Sequence, residues 1–530
     1  MNLKIFYEVN KTGSAIIEEL TQSYPQTVYK EIGIGKSQFY NITVNVDDNS
    51  PTRILNSKDA LTNCLTEDYI GSIMQVNGIP FLKDQEKVNR VYRVMIADLK
   101  IISIKINLNT KTKEPTKKVR ERFYPKVAEM ARRAIHVLGL DFAQITLVLT
   151  SRRVLKVARV NPSPELSKGD FKGLIDCFDL NLKEKTGSDR SEVKLGADPE
   201  FMMINRRNGR IVFASNFFPR EGHVGCDSIR VPNRYQRPVA EIRPSPSTCP
   251  VSLANNIRQS LLAANRMAPY RNIKWVAGSL PAGDYSIGGH VHFSNIRLNG
   301  GLLRALDNFL GIPIFLLEQP STAVRRRKKY GFLGDYRLKN HGGFEYRTPS
   351  SWLVSHKISR AVLCLAKIVA ARYLLLQTNY LNSVEAQKSF YAGNQDYFRD
   401  IFGDLWKQLS KIDLFDMYSE HLEVIKDMVD NGLSWDEKND FRRNWEISVS
   451  RKTYSGQRRS DSRSALIARS QTPRNAVVSP GIRVRRSQGS RTIRGNSGSG
   501  DTRNTGWGNN RTQTGRIVPS GRIGRTAVTR

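Results

Sequence analysis

The sequence contains few cysteines, and none of them are spaced for metal binding. There are five in 530 residues, and no Cys-x-x-Cys pair occurs among Cys64, Cys177, Cys226, Cys249 and Cys364. This spacing argues against a zinc ribbon and against a disulfide framework. We therefore predict that the cysteines are reduced and mostly structural.

Long apolar runs are also lacking. No stretch of about 18 apolar residues is evident, which predicts no membrane-spanning helix. The first residues, MNLKIFYEVN, are typical of a strand and not of a signal peptide. With 39% apolar and 25% charged residues, the composition is that of a protein with a buried core. We expect a cytoplasmic protein of a bacterial or phage-infected cell.

Acidic residues are outnumbered by basic ones. The chain has 83 Lys and Arg against 49 Asp and Glu, which gives a formal net charge of +34. Residues 451–530 alone hold 18 Lys and Arg but only 2 Asp and Glu. Such an excess favours anionic partners, among them nucleotides, nucleic acid and acidic peptides.

Changes of pattern divide the chain into four predicted regions. Residues 1–185 alternate strand-like and helix-like segments, and residues 190–380 contain most of the polar motifs described below. Residues 381–446 have Trp, Phe and Leu at helical spacing, which predicts a helical extension. Residues 447–530 are rich in Arg, Ser and Gly, which predicts a disordered basic tail. We expect that tail to bind nucleic acid or other polyanions without sequence preference.

The first region resembles the carboxy-terminal part of an ATP-grasp domain. Residues 91–107 predict two strands, residues 127–140 a helix, and FAQITLVLT with VLKVARVN a hairpin around residues 151–153. This order, with LGLDF and VNPSP, carries the resemblance. The family's metal-binding glutamate is Arg159 here and its hairpin aspartate is Thr146, and a cation repels Mg²⁺. The resemblance therefore implies a degenerate ATP-grasp-like domain with a structural or substrate-positioning role.

Three predicted strands of the second region each place a carboxylate two residues from another charged side chain. The pairs are Asp198 and Glu200 in GADPEF, Glu241 and Arg243 in AEIRP, and Glu345 and Arg347 in FEYRTPSSW. Side chains at i and i+2 of a strand lie on one face, so each pair is predicted to point the same way. Two carboxylates on one face repel each other unless a cation or a proton lies between them.

Three further motifs add histidines, one more carboxylate and a basic loop. His290 and His292 lie in GGHVHFS, Asp227 follows GC, and residues 325–337 read RRRKKYGFLGDYR. Taken singly, the Asp198 and Glu200 pair is more typical of a solvated strand edge and the histidine pair of a structural role, and the basic loop is as typical of a solvated loop as of a phosphate site. Taken together, carboxylates with imidazoles suit Mg²⁺ or Mn²⁺, and a basic loop suits a transferring phosphate.

These motifs, in this order, resemble the phage-type COOH–NH₂ ligase (type 2) family of the glutamine synthetase and glutamate–cysteine ligase superfamily. The resemblance covers most of residues 190–380. It implies an α+β fold with a glutamine synthetase-like antiparallel catalytic sheet and packed helices. In this prediction the partial ATP-grasp-like α+β domain precedes that sheet, and the disordered basic tail follows it.

The resemblance also implies roles for individual residues. The implied metal ligands are Asp198, Glu200, Asp227, Glu241, His290 and Glu345, with His292 as a supporting residue. The implied catalytic residues are Glu345, Arg337 and Arg347. The implied ATP-binding residues are Arg327, Tyr330 and Arg337. Asp198 stands where glutamine synthetase has a glutamate, which leaves the geometry of the metal site open.

The implied function is an ATP-dependent carboxylate–amine ligase, or amidoligase. Such an enzyme uses ATP with Mg²⁺ or Mn²⁺ and joins a carboxylate to an amine, on a small molecule, a peptide or a protein, through an acyl phosphate. One alternative is an inactive ligase fold that acts as a nucleic-acid-binding or scaffold protein through its tail. Another is an ATP-dependent phosphotransferase that uses the same metals. The residues identify neither the substrates, nor a general base, nor the oligomeric state.

Overall fold

The computed structural model describes residues 1–82, 86–107, 117–184, 192–340 and 342–455. All of these residues lie in one compact unit. The fold is a mixed α+β fold with several antiparallel sheets. All five cysteines lie in the described residues and are free, as predicted.

The first 184 residues form two sheets flanked by helices. The first sheet has the order β2-β3-β1-β4 and the second the order β7-β6-β5-β8-β9. The strands are β1 (Asn2–Glu8), β2 (Thr27–Ile34), β3 (Ser37–Val44), β4 (Thr52–Leu55), β5 (Val88–Ala97), β6 (Lys100–Asn107), β7 (Lys117–Val119), β8 (Phe142–Thr150) and β9 (Leu155–Asn161). The helices are α1 (Lys11–Ser23), α2 (Lys58–Thr62), α3 (Glu67–Val76), α4 (Pro125–Val137) and α5 (Lys168–Leu182). The two strands predicted within 91–107, the helix and the hairpin are confirmed.

The rest of the described chain forms two more antiparallel sheets and a set of packed helices. The third sheet has the order β10-β16-β18-β17, and the fourth has the order β12-β11-β14-β13, with β15 paired to β11. The strands are β10 (Lys194–Ala197), β11 (Glu200–Asn205), β12 (Ile211–Val212), β13 (Val224–Cys226), β14 (Val239–Ile242), β15 (Ile273–Val276), β16 (Val291–Ser294), β17 (Tyr336–Leu338) and β18 (Phe344–Tyr346). The helices are α6 (Pro250–Met267), α7 (Gly300–Leu306), α8 (Ile312–Leu317), α9 (Pro320–Arg327), α10 (His356–Arg372), α11 (Val384–Ala392), α12 (Gln395–Leu409) and α13 (Asp413–Asp430).

The expectation of one strand through Asp198 and Glu200 is wrong. The chain leaves the third sheet after Ala197 and enters the fourth at Glu200. Pro199 explains the break, because proline has no N–H group for a ladder hydrogen bond. The two carboxylates are therefore held by different sheets, and the polar motifs lie on two antiparallel sheets instead of one.

One helical run passes through the middle of the core. Helix α7, a π-helical segment (Asp307–Gly311) and α8 together cover residues 300–317. By length and composition this run could cross a membrane, contrary to the expectation that no such stretch exists, but 89% of it is buried inside the protein. It packs against α10 within the main hydrophobic cluster, which also includes residues of the first two sheets.

A buried ionic network joins the first region to the start of α7. Arg53 lies 2.7 Å from Asp98 through Nη2, and Arg297 lies 2.7 Å from the other oxygen of Asp98. Asp98 also accepts a hydrogen bond from the backbone N–H of Gly300, at the first turn of α7. Burial alone would raise the pKa of Asp98, but the two guanidinium groups outweigh burial and lower it. Removing either arginine would leave the buried Asp98 with only one of its two guanidinium partners, so the network fixes the two regions together.

The compact unit extends beyond the predicted start of the tail. Helices α11 to α13 confirm the helical prediction for 381–446. Ile447 is buried, however, and the Tyr454 ring packs against Phe217 and Tyr270 at centroid distances of 5.3 and 5.4 Å. The boundary at 447 is therefore wrong for residues 447–455, because these side chains contribute apolar surface to the core. The remainder of the predicted tail, residues 456–530, lies outside the described residues.

Candidate active site

The first group of polar side chains is assembled by the third sheet. Its register aligns His292 of β16 with Glu345 of β18, and Glu345 with Arg337 of β17. Asp198 and His290 lie just outside the ends of β10 and β16. The His292 Nε2 atom is 3.0 Å from Asp198 Oδ2, and the His290 Nδ1 atom is 3.0 Å from Asp198 Oδ1. Two carboxylates and two imidazoles therefore converge at one edge of this sheet.

Three cationic side chains surround Glu345, which is fully buried. The shortest approach is from Lys339 Nζ at 2.5 Å, followed by Arg347 Nε at 3.1 Å and Arg337 Nη1 at 3.4 Å. Burial and the nearby Asp198 carboxylate act to raise the pKa of Glu345, but His290 and Lys339 outweigh them and lower it. Glu345 is therefore held as a carboxylate.

The second group is assembled by the fourth sheet. Glu200 of β11 pairs with Glu241 of β14, which pairs in turn with Gly225 of β13. Asp227 follows two residues after Gly225 and therefore lies on the same face. A side chain at Gly225 would collide with the guanidinium group of Arg243, which forms an ion pair with Glu241. The absence of a side chain at 225 thus gives this arginine its place beside the carboxylates.

Glu200 and Glu241 of the second group are stabilised in their protonated forms when no metal is bound. Burial raises the pKa of Glu200 well above its usual range, and the charges of Asp227 and Glu241 raise it further. Burial and the Asp198 charge raise the pKa of Glu241 to about 8, although Arg243 opposes them. Since Asp198 influences Glu241 across the break at Pro199, the two groups form one electrostatic unit.

The donor atoms fit a hard divalent cation. Asp198, His292 and Glu345 each offer one ligand atom, and these atoms lie within 4.8 Å of one another. Among the described residues, His290 Nε2 is buried without a hydrogen-bond partner, whereas Glu345 Oε1 lies 3.1 Å from Arg347 Nε. Buried polar atoms are normally paired, so His290 Nε2 is available to a ligand. Carboxylate oxygens with imidazole nitrogens suit Mg²⁺ or Mn²⁺.

The predicted ATP-binding residues are placed differently from one another. The hydroxyl group of Tyr330 donates a hydrogen bond of 3.3 Å to Glu200, and more than half of the Arg337 side chain is exposed beside Glu345. Arg327 does not reach this site: it is buried in an ion pair with Glu318, and its guanidinium group packs 4.4 Å from the centre of the Phe390 ring. The sequence prediction treated 325–337 as one basic loop, whereas its first three residues end helix α9.

Arg326, which the sequence prediction passed over, holds the backbone on both sides of the site. It is fully buried. Its Nε donates to the carbonyl of Ile287 at 2.8 Å, and its two terminal nitrogens donate at 2.7 Å to those of Thr348 and Pro349. One acceptor precedes Gly288-Gly289-His290 and the other two follow Arg347. Arg326 is therefore a positioning residue for His290 and for the end of β18.

Lys339 and Asp335 are further residues that the sequence analysis missed. Lys339 lies two residues after Arg337, so the i, i+2 rule used elsewhere would have placed it on the same face. Asp335 is buried, accepts a hydrogen bond of 2.9 Å from the backbone N–H of Gly331, and lies 3.6 Å from Arg347. No pattern in the sequence distinguishes Asp335 from a loop residue.

The raised pKa values predict a pH-dependent stability that divalent ions modify. A carboxyl group whose pKa is raised on folding binds more protons in the native state than in the unfolded state. Metal-free protein should therefore lose stability as the pH rises from the ordinary glutamate value of 4.5 towards the value of about 8 for Glu241. Mg²⁺ or Mn²⁺ should raise the melting temperature more at pH 8 than at pH 6, since ionised carboxylates bind the ion. Differential scanning fluorimetry measures both effects, and a melting temperature insensitive to both ions at pH 8 would contradict the assignment.

Comparison with known proteins finds a family match for this region. The family described as phage phiEco32-like COOH.NH2 ligase-type 2 matches residues 195–447, which include every residue of both groups. A search of curated proteins finds no match to this chain.

Solved structures with local similarity include a macrocyclase, a glutathione synthetase and an ATP-grasp ligase. The macrocyclase MdnB from Microcystis aeruginosa is 11% identical, with 33% of this chain and 93% of that chain covered and a TM-score of 0.22. A bifunctional glutathione synthetase from Pasteurella multocida is 12% identical, with 52% and 51% covered and a TM-score of 0.32. A RiPP-associated ATP-grasp ligase from Chryseobacterium gregarium is 9% identical, with 34% and 55% covered and a TM-score of 0.16. TM-scores this low support no inference about the present site.

The match over 195–447 confirms the resemblance given by the motifs, and it supports a carboxylate–amine ligase as the general class of activity. It begins within β10 and ends at Ile447, so it includes the third and fourth sheets and the helices that follow. Residues 195–447 of this chain are therefore similar to the family described as phage phiEco32-like COOH.NH2 ligase-type 2.

Proposed function

We propose that this protein is an ATP- and divalent metal-dependent ligase that joins a carboxylate to an amine through an acyl phosphate. The observation that supports this proposal most is that two clusters of carboxylate side chains, one on each of two sheets, converge where Asp198-Pro199-Glu200 connects the sheets. The first group adds two imidazoles and three cationic side chains, and the second adds Arg243. Buried carboxylates repel one another unless protons or cations lie between them, and divalent cations bound there would in turn attract phosphates.

The first group would hold one metal ion through Asp198, Glu345 and the histidines. The second would hold another through Glu200 and Glu241, with Asp227 beside them. Bound metal would supply neutralisation of the charge on the ATP phosphates. The remaining roles belong to the chain itself: it must orient two substrates and keep water away from a reactive acyl group.

Arg337, Arg347 and Lys339 are suited to hold the reacting anions. Arg347 is fixed between Glu345 and Asp335, whereas the Arg337 side chain is 57% exposed and is free to turn towards a ligand. A guanidinium group binds a carboxylate or a phosphate through two parallel hydrogen bonds. We assign Arg347 to fixed orientation of the reacting group and Arg337 with Lys339 to the phosphate that is transferred.

The proposed reaction has two steps. A carboxylate oxygen of the acid substrate attacks the γ-phosphorus of ATP, the bond to the β-phosphate oxygen breaks, and ADP leaves. The nitrogen lone pair of the amine then attacks the acyl carbon, the carbon–oxygen bond to phosphate breaks, and the amine proton passes to a base or to the phosphate. The products are an amide, ADP and inorganic phosphate.

Phosphate release coupled to amide formation is the test of this proposal. We expect purified full-length protein with Mg²⁺ to release phosphate from ATP when a pool of amino acids and acidic peptides is present. Mass spectrometry should find a product lighter by one water than the sum of two pool members. A phosphorylated product without an amide would instead establish a phosphotransferase.

The scaffold alternative makes the opposite prediction. It requires no ATP turnover with either Mg²⁺ or Mn²⁺, even when a cell extract supplies substrates, together with salt-sensitive binding of DNA or RNA that depends on residues 447–530. The retention of all six predicted metal ligands within the two groups favours the ligase.

A further inference from the structure

The connection between β13 and β14, residues 227–238, forms an ordered arm that starts at the second carboxylate group. At its base the backbone N–H of Asp227 donates to Val239 at 3.1 Å, and further out that of Val231 donates to Gln236 at 2.9 Å. The Asp227 side chain accepts a hydrogen bond of 2.7 Å from the backbone N–H of Ile229. The arm is thus a hairpin whose root is part of the site and whose tip is exposed.

The arm presents guanidinium groups that have no carboxylate partner in the described residues. Arg237, at its root, is 9% exposed, and its Nη1 donates to the carbonyl groups of Asp227 and Ser228 at 2.9 and 2.6 Å. Arg230 and Arg234 are exposed on the arm, and Arg220 is exposed just before β13. We refer to Arg220, Arg230, Arg234 and Arg237 together as the arginine arm.

The positive charges of the arginine arm are close enough to repel one another. Burial lowers the pKa of Arg237, and the neighbouring charges of Arg220 and Arg230 lower it further. Arg243 adds a further positive charge beside Arg220, because its Nη1 atom donates a hydrogen bond of 3.4 Å to the backbone carbonyl of Arg220. Three other buried arginines have carboxylate partners inside the protein, as Arg442 has Asp440 at 2.7 Å; the other two are Arg53 and Arg327. The arm therefore concentrates positive charge that the described residues do not offset.

We propose that the arginine arm binds carboxylate groups of an acidic peptide whose reacting carboxylate enters the active site. This inference rests on the proposed function and names the class of acid substrate. The arm begins at Asp227, so an anion held by it lies next to Glu200 and Glu241. Five buried or half-buried carboxylates line the site, and an acidic substrate approaching them needs compensating charge on the way in.

The proposed chemistry favours a peptide over a nucleic acid. A guanidinium fork binds carboxylate and phosphate equally well, so the arm alone does not distinguish them. The reaction, however, consumes a carboxylate at the end of the arm, and a polynucleotide has none to offer. An extended acidic peptide can also offer several carboxylates to the arm while one of them enters the site.

Binding of a labelled hexaglutamate peptide tests the proposal without any need for ATP turnover. Fluorescence anisotropy with the full-length protein, at about 0.15 M salt to weaken nonspecific attraction, should show tighter binding of hexaglutamate than of hexaglutamine. The variant Arg220→Gln/Arg230→Gln/Arg234→Gln should weaken binding of hexaglutamate about tenfold, a few-fold for each exposed ion pair. All three side chains are exposed, so the melting temperature should not change.

A charge-matched variant separates the arm from the general basicity of the chain. Arg152→Gln/Arg207→Gln/Arg210→Gln removes three exposed arginines from turns elsewhere and should change the affinity for hexaglutamate less than twofold. Equal losses in both variants would overturn the proposal, as would no loss in either. A hexathymidylate probe bound as tightly as hexaglutamate, with the same sensitivity to the arm variant, would assign the arm to phosphate and also overturn it. Because no probe reacts, these outcomes are independent of whether the protein is a ligase.

Discussion

The Glu345→Gln variant is expected to turn over ATP about a hundredfold to a thousandfold more slowly than the wild-type protein, because the metal ion that Glu345 would hold stabilises the transferring phosphate, and losing one such stabilising contact has an effect of about this size. Glu345 is fully buried, lies 3.3 Å from His290, and is the common neighbour of Lys339 and Arg347. Glutamine has nearly the same shape but no charge. Residue 345 would therefore no longer attract a divalent ion, and the positive charges of Lys339 and Arg347 would lose their carboxylate partner.

Two measurements on that variant distinguish a lost site from a lost fold. Mn²⁺ binding, followed by electron paramagnetic resonance, should weaken, while far-ultraviolet circular dichroism should remain that of the wild type. Glu437→Gln is the matched control, because Glu437 is also buried but lies outside both groups, against the backbone N–H of Ser279 at 2.7 Å. Burial raises the pKa of Glu437, so a neutral amide should be tolerated there and turnover should be retained. Wild-type turnover by Glu345→Gln would remove this residue from the proposed site.

The i, i+2 rule placed two of the three charged pairs correctly. Glu345 and Arg347 contact each other, and so do Glu241 and Arg243, because each pair lies in or next to one short strand. The rule failed for Asp198 and Glu200, where Pro199 ends one sheet before the next begins. The charge of Asp198 still raises the pKa of Glu200, so the two side chains are close in space, as predicted. They are close because two sheets meet at Pro199, and not because they share one strand face.

The division of the strands between sheets depends on contacts that no local pattern contains. Strand β10 pairs with β16, nearly a hundred positions later in the chain, and β11 pairs with β14 and β15 instead. Hydrophobic alternation predicts that a segment is a strand but not which strand it joins. For the same reason the hairpins β5–β6 and β8–β9, whose partners are adjacent in sequence, were predicted and the two site-bearing sheets were not.

The three successive arginines 325–327 show the same limit for side chains. The resemblance implied that Arg327 binds ATP, but Arg327 is buried against Glu318, away from the site. Arg326 is fully buried beside the site, and Arg325 is exposed. Successive residues of a helix point about a hundred degrees apart, so one turn at the end of α9 sends them to three environments. The identity of each environment follows from tertiary packing alone.

The Arg326→Lys variant is accordingly expected to lose about 3 kcal/mol of unfolding free energy, although it keeps the positive charge. A lysine ammonium cannot reproduce the planar fork that reaches the carbonyl groups of Ile287, Thr348 and Pro349. The Pro349 carbonyl keeps a hydrogen bond of 3.1 Å from the Gly289 N–H, but each of the other two buried acceptors left unpaired costs about 1–3 kcal/mol. Denaturant unfolding measures the loss, and Arg325→Lys, at an exposed position 3.1 Å from Asp284, should change stability by less than about 0.5 kcal/mol. Because these carbonyls flank the segments that bear His290 and Arg347, Mn²⁺ affinity should also fall in Arg326→Lys at temperatures where it remains folded. Equal stability of the two variants would show that the fork does not hold this backbone, and the positions of His290 and Arg347 would then need another support.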